Sequence, residues 1–347
     1  MTASPQFAIA DRLIGFDQPA YIIAEACDNH LGQIEVAREM VTQAKLAGAD
    51  AIKFQHHLPD EEMLPGGPMS DNFDEDLYDF LKKYALSLEH HAELKAFCEQ
   101  AGITYLCTPF SWAAAQELDG IGVPAYKIGS GEMTDIPSLV RIAGLGKPLI
   151  VSTGMSTFEE IDRTYKALAQ RETPLALLDC VSEYPPDYGD LNIDVITAMK
   201  ARYTAAVIGH SDHTPDNYTC YAAVTLGASI IEKHVILDKR QKGPDQSVSI
   251  DFRDLADLVD GIRKIEAARG DRREVHDREK PIRTWAFRSL VVTQPVVAGT
   301  VITQDMIWSK RPGTGIPSYR MDEIIGCRAK RNIEANTLLD WADIETA

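Results

Sequence analysis

The chain reads as a (β/α)8 barrel followed by a small β-rich domain, and three observations carry that reading. Short apolar β-type runs alternate with amphipathic helical segments over roughly 235 residues, the repeat of an eightfold barrel. No GxGxxG of the dinucleotide-binding type follows the first run, which argues against an open doubly wound sheet. Near residue 270 the composition shifts to a charged stretch and then to β-type pieces punctuated by Gly and Pro.

The strands are expected in order at AYIIAEA ending near Ala26, DAIKFQ near Gln55, TYLCTP near Pro109, AYKIGS near Ser130, PLIVSTG near Gly154 and LALLDCVS near Ser182. Two further runs, 206–208 and 229–231, each lead to a histidine, His213 and His234, with 216–227 between them reading as a crossover helix. The two strands should therefore be parallel neighbours whose imidazoles emerge at the same end of one sheet. Among the covering helices, 34–46 places Val36, Met40, Val41 and Ala44 on one stripe, and 88–101 repeats the pattern. The connection 56–87 carries Gly-Gly-Pro and an acidic cluster, and a long loop at this end of a barrel reads as a lid or specificity element. A helix at 255–268 ends the barrel domain, 1–270. The charged stretch ARGDRREVHDREKPIR supplies a linker, 271–286, and 287–347 forms the second domain.

Composition excludes several function classes. A net charge of −17, with 52 acidic against 35 basic residues, opposes a broad nucleic-acid or anionic-membrane surface, so an anionic ligand must be held by a local cluster of donors. The first residues lack a signal-peptide pattern and no run approaches the roughly 20 apolar residues of a membrane span, which predicts a cytoplasmic protein. Cys27, Cys98, Cys107, Cys180, Cys220 and Cys327 form no CxxC pair and are expected as reduced thiols in or near the core.

Chemistry in such a barrel sits at the C-terminal strand ends, and alternate residues face the same side. That parity sends Glu25 inward with Tyr21 and Ile23, Lys53 with Gln55, Ser211 with His213, and His234 with Glu232 and Ile230. Two neutral imidazoles at adjacent strand ends suit a divalent transition metal. Lys53 and Lys127, with the hydroxyls of Thr108, Ser130, Ser152 and Ser211, would surround a phosphate or carboxylate with charge-assisted donors. Singly, each hydroxyl is more simply a cap, each lysine a solvated charge and each histidine a core residue; the collection at one mouth is what points to a site. Paired histidines and barrel-mouth lysines also serve metal-dependent hydrolases and aldolases, although the early HxH pair of many such hydrolases is absent.

AEACDNHLG, IKFQ, CTPF, YKIGSGE, STGMS, GHSDHT, EKH and GPD follow one another in this chain in the order seen in sialic acid synthases. The tail, RSLVV and then VITQDMIWSKRPGTGI, is similar to the antifreeze-like or SAF domain that closes that family. Nearly the whole chain thus resembles the N-acetylneuraminate synthase family. The resemblance implies condensation of phosphoenolpyruvate with an N-acylated hexosamine, giving a nine-carbon 2-keto acid and phosphate, with a divalent metal, typically Mn2+. It implies metal ligands at His213 and His234, with the Glu25 carboxylate beside the metal; on the chemistry of that reaction, Glu25 is the catalytic candidate to position or deprotonate the water it consumes. It places phosphoenolpyruvate contacts at Lys53, Thr108, Lys127, Ser130, Ser152 and Ser211, and sugar contacts at Gln55, Tyr184 and Asp245. Arg311, in KRPG, matches an arginine that the tail inserts into the barrel of the other subunit of a domain-swapped homodimer. Asn72 resembles a sugar-contacting asparagine. The antifreeze-like tail alone would suit a carbohydrate- or ice-binding protein, for which a catalytic barrel is superfluous. Two departures bear on the sugar: Ala26, Cys27 and Asp28 stand where the common first motif has Ile-Gly, and Ser182 stands where some sialic-acid enzymes have Asn.

Overall fold

A computed structural model describes residues 4–67 and 75–345. Asn72 lies outside the described residues.

The chain opens with an antiparallel hairpin, β1 (Gln6–Ile9) and β2 (Arg12–Gly15). Eight parallel strands follow: β3 (Tyr21–Glu25), β4 (Ala51–His56), β5 (Thr104–Pro109), β6 (Tyr126–Ile128), β7 (Leu149–Ser152), β8 (Leu175–Cys180), β9 (Val207–Asp212) and β10 (Ile230–His234). Each pairs with the next, and β10 pairs with β3 to close the barrel. The expected (β/α)8 architecture is therefore the observed one. Helix starts are set by local chemistry: Ser87, Ser111, Asp135 and Asp251 accept backbone N–H bonds in the first turn of their helices, and Thr157 forms a capping box with Glu160.

Alternation along the strands sorts the core into two layers. Ile22, Ile52, Phe54, Cys107, Ile128, Val151, Leu177 and Ile231 face the helices. Tyr21, Ile23, Ala51, Leu106, Ala125, Ile150, Ala176, Leu178, Val207 and Ile230 fill the barrel. Phe7, Ile9 and Ile14 of the hairpin join that inner cluster, so the hairpin plugs the barrel at the N-terminal strand ends. The sequence pattern does not mark this element. Its strands are four residues each, and its apolar face gains meaning only from the open barrel end it covers.

Gly209 occupies an inward position between Val207 and Ser211. A β-carbon there would lie 2.4 Å from Leu178 Cδ2 and 2.6 Å from the Ile230 carbonyl oxygen. Gly209→Ala is expected to cost about 1–3 kcal/mol by overpacking, read as a lower denaturant midpoint with an unchanged slope. A midpoint equal to that of the parent would show that the interior has room.

Among the described residues, the connection 56–87 holds two short helices, Pro59–Glu62 and Leu77–Tyr84. The second buries Phe80 and Leu81 and is capped by Asp76. All six cysteines are free and buried, as the absence of paired spacing predicts. Among the described residues no helix is long and apolar enough to cross a membrane.

Contacts divide the chain into Met1–Arg269 and Gly270–Ala347. The second unit pairs Ser289–Val292 with Ile307–Lys310 and Arg328–Ala329 with Ile344–Glu345, around its own apolar cluster centred on Leu290, Ile302, Ile307, Ile324 and Leu339. A helix, Lys280–Ala286, falls within the charged stretch 271–286, with proline in its first turn where a missing N–H costs nothing.

Candidate active site

Above the apolar filling, the inward positions turn polar. The next inward residue is Glu25 on β3, Lys53 and Gln55 on β4, Thr108 on β5 and Lys127 on β6. It is Ser152 on β7, Cys180 on β8, Ser211 on β9, and Glu232 and His234 on β10. All of these line one cavity of about 420 Å3, together with Ser130, Tyr184, His213 and Asp245 from the loops just beyond. The twelve barrel residues singled out in the sequence are thus brought together. Arg311 belongs to the second unit, where it is exposed with its guanidinium 5.3 Å from the Trp285 ring centre.

Two buried lysines organise the cavity floor. Lys53 Nζ lies 2.7 Å from Glu25 Oε2 and donates to Thr108 Oγ1 at 2.9 Å. Lys127 Nζ donates to Ser152 Oγ at 2.7 Å and lies 3.3 Å from Glu232 Oε1. Glu232 also accepts from Ser211 Oγ at 3.2 Å and is 3.8 Å from Lys53. The two ammonium groups are therefore balanced by two carboxylates. Burial opposes ionisation of Glu232, but Lys127 and Lys53 outweigh it and hold the carboxyl below its usual range. Burial pushes the Glu25 carboxyl the other way, up to about 7, against the pull of Lys53. Gln55 Nε2 donates to Glu25 Oε1 at 2.7 Å and fixes that carboxylate's second oxygen. Parity turns Glu232 inward in the sequence, but its part as counter-ion to both lysines is visible only once β6, β9 and β10 are side by side.

The two histidines are held differently. His213 Nδ1 donates to the Val181 carbonyl at 2.7 Å, which leaves Nε2 to meet the Tyr184 hydroxyl at 3.2 Å; the two rings stack at 4.3 Å. His234 is buried, its Nδ1 has no hydrogen-bond partner, and burial holds its imidazole well below the ordinary value, in the neutral form that ligates metals. The ring centres are 5.1 Å apart. Donor atoms of Cys27, His234 and Asp245 all lie within 4.8 Å of one another. A nitrogen, a sulfur and an oxygen converging around an unsatisfied buried imidazole fit a divalent transition ion. Cys27 and Asp245 thus join the histidines as candidate donors, while Glu25 spends its carboxylate on Lys53 and Gln55. Cys27 holds this place with φ of 39°, a left-handed backbone that costs a β-carbon-bearing residue about 1 kcal/mol or more.

The cavity wall also carries Asp28, noted in the sequence only as a departure from the first motif, and His57, Glu62 and Glu132, to which the sequence assigns no role. His57 Nδ1 bonds Glu62 Oε1 at 2.9 Å and Nε2 bonds Gln55 Oε1 at 3.1 Å, while the ring stacks on Phe110 at 4.2 Å. Glu62, Met63, Leu77 and Leu81 of the connection 56–87 also line the cavity, so that segment forms part of its wall.

A second cavity, of about 590 Å3, lies at the opposite strand ends. Two ion pairs lie in its lining, Arg12 with Asp50 at 2.6 Å and Lys95 with Glu99 at 2.5 Å, on the face where barrels carry stability rather than chemistry.

An anion cradle and a cation-donor group sharing the C-terminal mouth place the chain among (β/α)8 barrels that do chemistry at their strand ends. Comparison then gives the lineage: the chain belongs to the NeuB family, whose profile matches residues 40–274, and an SAF domain matches 287–345. It is 35% identical to the N,N'-diacetyllegionaminic acid synthase of Legionella pneumophila, over 95% of this chain and 96% of that one. It is 33% identical to the pseudaminic acid synthase of Campylobacter jejuni, over 94% and 97%. The crystal structure of the N-acetylneuraminic acid (sialic acid) synthetase of Leptospira borgpetersenii superposes with a TM-score of 0.72 at 30% identity, covering 80% of this chain and 95% of that one.

Proposed function

We propose that the protein condenses phosphoenolpyruvate with an N-acylated hexosamine, such as N-acetylmannosamine, to give a sialic-type nine-carbon 2-keto acid and phosphate. The observation that carries this reading is the meeting in one cavity of the Lys53 and Lys127 cradle with His213, His234 and Asp245, the last two within 4.8 Å of the Cys27 thiol behind the wall. Lys53, Lys127 and the hydroxyls of Thr108, Ser130, Ser152 and Ser211 hold the carboxylate and phosphate of phosphoenolpyruvate. A divalent metal, Mn2+ by family resemblance, bound at His213 and His234 with Cys27 and Asp245 nearby, supplies Lewis-acid assistance at the sugar carbonyl.

With the sugar in open-chain form, C3 of the enolpyruvate bonds to the aldehyde carbon, and the aldehyde oxygen takes up a proton as it becomes a hydroxyl. Positive charge develops at C2. Glu25, held by Lys53 and Gln55, accepts a proton from the water that adds there. Collapse of the adduct breaks the bond between C2 and the phosphate oxygen, phosphate leaves, and the new hydroxyl loses its proton to give the ketone. Gln55 and Tyr184 contact the sugar, and Asp245 stands where it can serve sugar or metal. The test is phosphate release from phosphoenolpyruvate that requires both metal and hexosamine, with the product read by mass. Release without any sugar, or cleavage of a sugar without phosphoenolpyruvate, would instead support the hydrolase or aldolase reading.

The chain is further assigned to a cytoplasmic homodimer with exchanged tails. Six free cysteines suit a reducing compartment, and the exposure of Arg311 leaves its guanidinium available to a partner's cavity. Arg311→Ala and His213→Ala dimers should each be poor enzymes, whereas random mixed dimers repair one site in two and should return about a quarter of normal activity. Recovery no greater than the average of the two mutants, despite verified mixed dimers, would show that the tail serves its own barrel.

A further inference from the structure

Behind Ser211, His213, Glu232 and His234, on the helix side of the barrel wall, lies a buried polar network that the proposed chemistry leaves unused. Asp212 precedes His213 and Lys233 precedes His234, and both side chains are wholly buried. Lys233 Nζ donates to Asp212 Oδ2 at 2.8 Å, and the same ammonium donates to the Thr214 carbonyl. One cation of β10 thus grips the residues on either side of His213. Asp212 is held in turn: Oδ2 accepts from Thr214 Oγ1 at 2.9 Å and, in the helix Tyr218–Leu226, from Thr219 Oγ1 at 2.8 Å and Cys220 Sγ at 3.2 Å. Oδ1 accepts from the Thr214 N–H at 3.0 Å. His210, on the same face of β9, donates from Nδ1 to Asp179 Oδ2 of β8 at 3.1 Å, two residues before the Val181 carbonyl that holds the His213 ring.

Strand pairing alone does not fix the two histidines against each other. The register between β9 and β10 ends at Asp212 opposite Lys233, so His213 lies beyond the ladder, and His234 pairs with Glu25 on the other side of β10. The ion pair is the tie that continues where the ladder stops. Its value is not chiefly stability, because a buried ion pair is often matched by apolar residues of similar volume. Directional bonds are what apolar packing cannot supply. We infer that Asp212 and Lys233 are positioning residues for the proposed metal site: their clamp sets the spacing of the His213 and His234 rings, whose centres lie 5.1 Å apart. The inference rests on the metal reading above and extends it to side chains that touch neither metal nor substrate.

The test follows Mn2+ binding to the full chain through the paramagnetic resonance signal of the free ion, with no substrate present. Denaturant midpoints and the dissociation constant for phosphoenolpyruvate are measured beside it. In an Asp212→Asn, Lys233→Met double variant both charges go together, so neither is stranded, and the asparagine still accepts from Thr214 and Thr219. Affinity for Mn2+ should fall about 10–100-fold, the range for groups that support metal ligands, while phosphoenolpyruvate binding stays within about threefold of the parent. A midpoint close to the parent's with weakened Mn2+ binding is the signature of positioning. Thr214→Val keeps both charges and removes the hydroxyl that lies 3.3 Å from Lys233 Nζ and 2.9 Å from Asp212 Oδ2. It should weaken Mn2+ binding by a smaller factor, and it serves if the double variant does not fold. Parental Mn2+ affinity in every folded variant would overturn the inference, because the clamp would then serve stability alone. An equal loss of phosphoenolpyruvate affinity would also overturn it, since the whole mouth would have moved. A parent that takes up no Mn2+ would overturn the metal reading and this inference with it.

Discussion

His234→Ala is expected to lower metal-dependent turnover by more than about 100-fold while leaving the barrel folded. Loss of supporting groups around a metal costs 10–100-fold, and loss of a ligand should exceed that. The side chain ends β10 beside Glu25, and its Nδ1 is buried without a partner. Alanine removes a ring whose Nδ1 has no hydrogen-bond partner, so its loss strands no partner at that nitrogen, and the cost to folding is that of lost packing against Tyr184 and His213. Metal content after dialysis should fall in parallel, chelation should silence the parent, and manganese should restore it. The role of Cys27 can be read independently of activity, because a cobalt-loaded protein with a thiolate ligand shows a sulfur-to-metal charge-transfer band. Cys27→Ser should remove that band. Full activity in metal-stripped parent would end the metal reading, and a band retained in Cys27→Ser would take the thiol out of the donor set.

Glu25→Gln should reduce kcat by about 100-fold or more without weakening phosphoenolpyruvate binding. The amide keeps the shape and can still meet Gln55, but it cannot accept a proton from water. Because Glu25 is a counter-ion of Lys53 at 2.7 Å, neutralising it leaves that ammonium more available to an anion. A fall in kcat with an equal or lower dissociation constant for phosphoenolpyruvate is therefore the specific signature. Turnover within twofold of the parent would move the water-activating role to another group.

How far the site could be read in advance depended on whether its residues obey a local rule. Strand parity put Glu25, Lys53, Gln55, Ser211 and His234 inward, because a period of two is written in the chain itself. The eight strand ends were legible for the same reason. Cys27 and Asp28 were visible as departures from a motif, but their chemistry depends on Asp245 and His57, which arrive from elsewhere in the fold. Glu62 lies in a connection whose sequence has no period to read, and only its bond to His57 draws it into the wall. The hairpin escaped because four-residue strands carry little signal.

That hairpin has a consequence for traffic. Phe7, Ile9 and Ile14 pack into the lower end of the barrel, so among the described residues the cavity's way out is at the upper strand ends. The lysines project from within β4 and β6, whereas Asp28, His57 and Glu62 lie beyond the strand ends, so the anion's berth is the deeper of the two. Under the proposed reaction the guests form a queue. The first one in lies beneath the second, and the newly formed carbon chain runs from the floor toward the upper strand ends. A barrel open at both ends would let phosphate drain away below; a stoppered one returns everything past the wall that admitted the sugar.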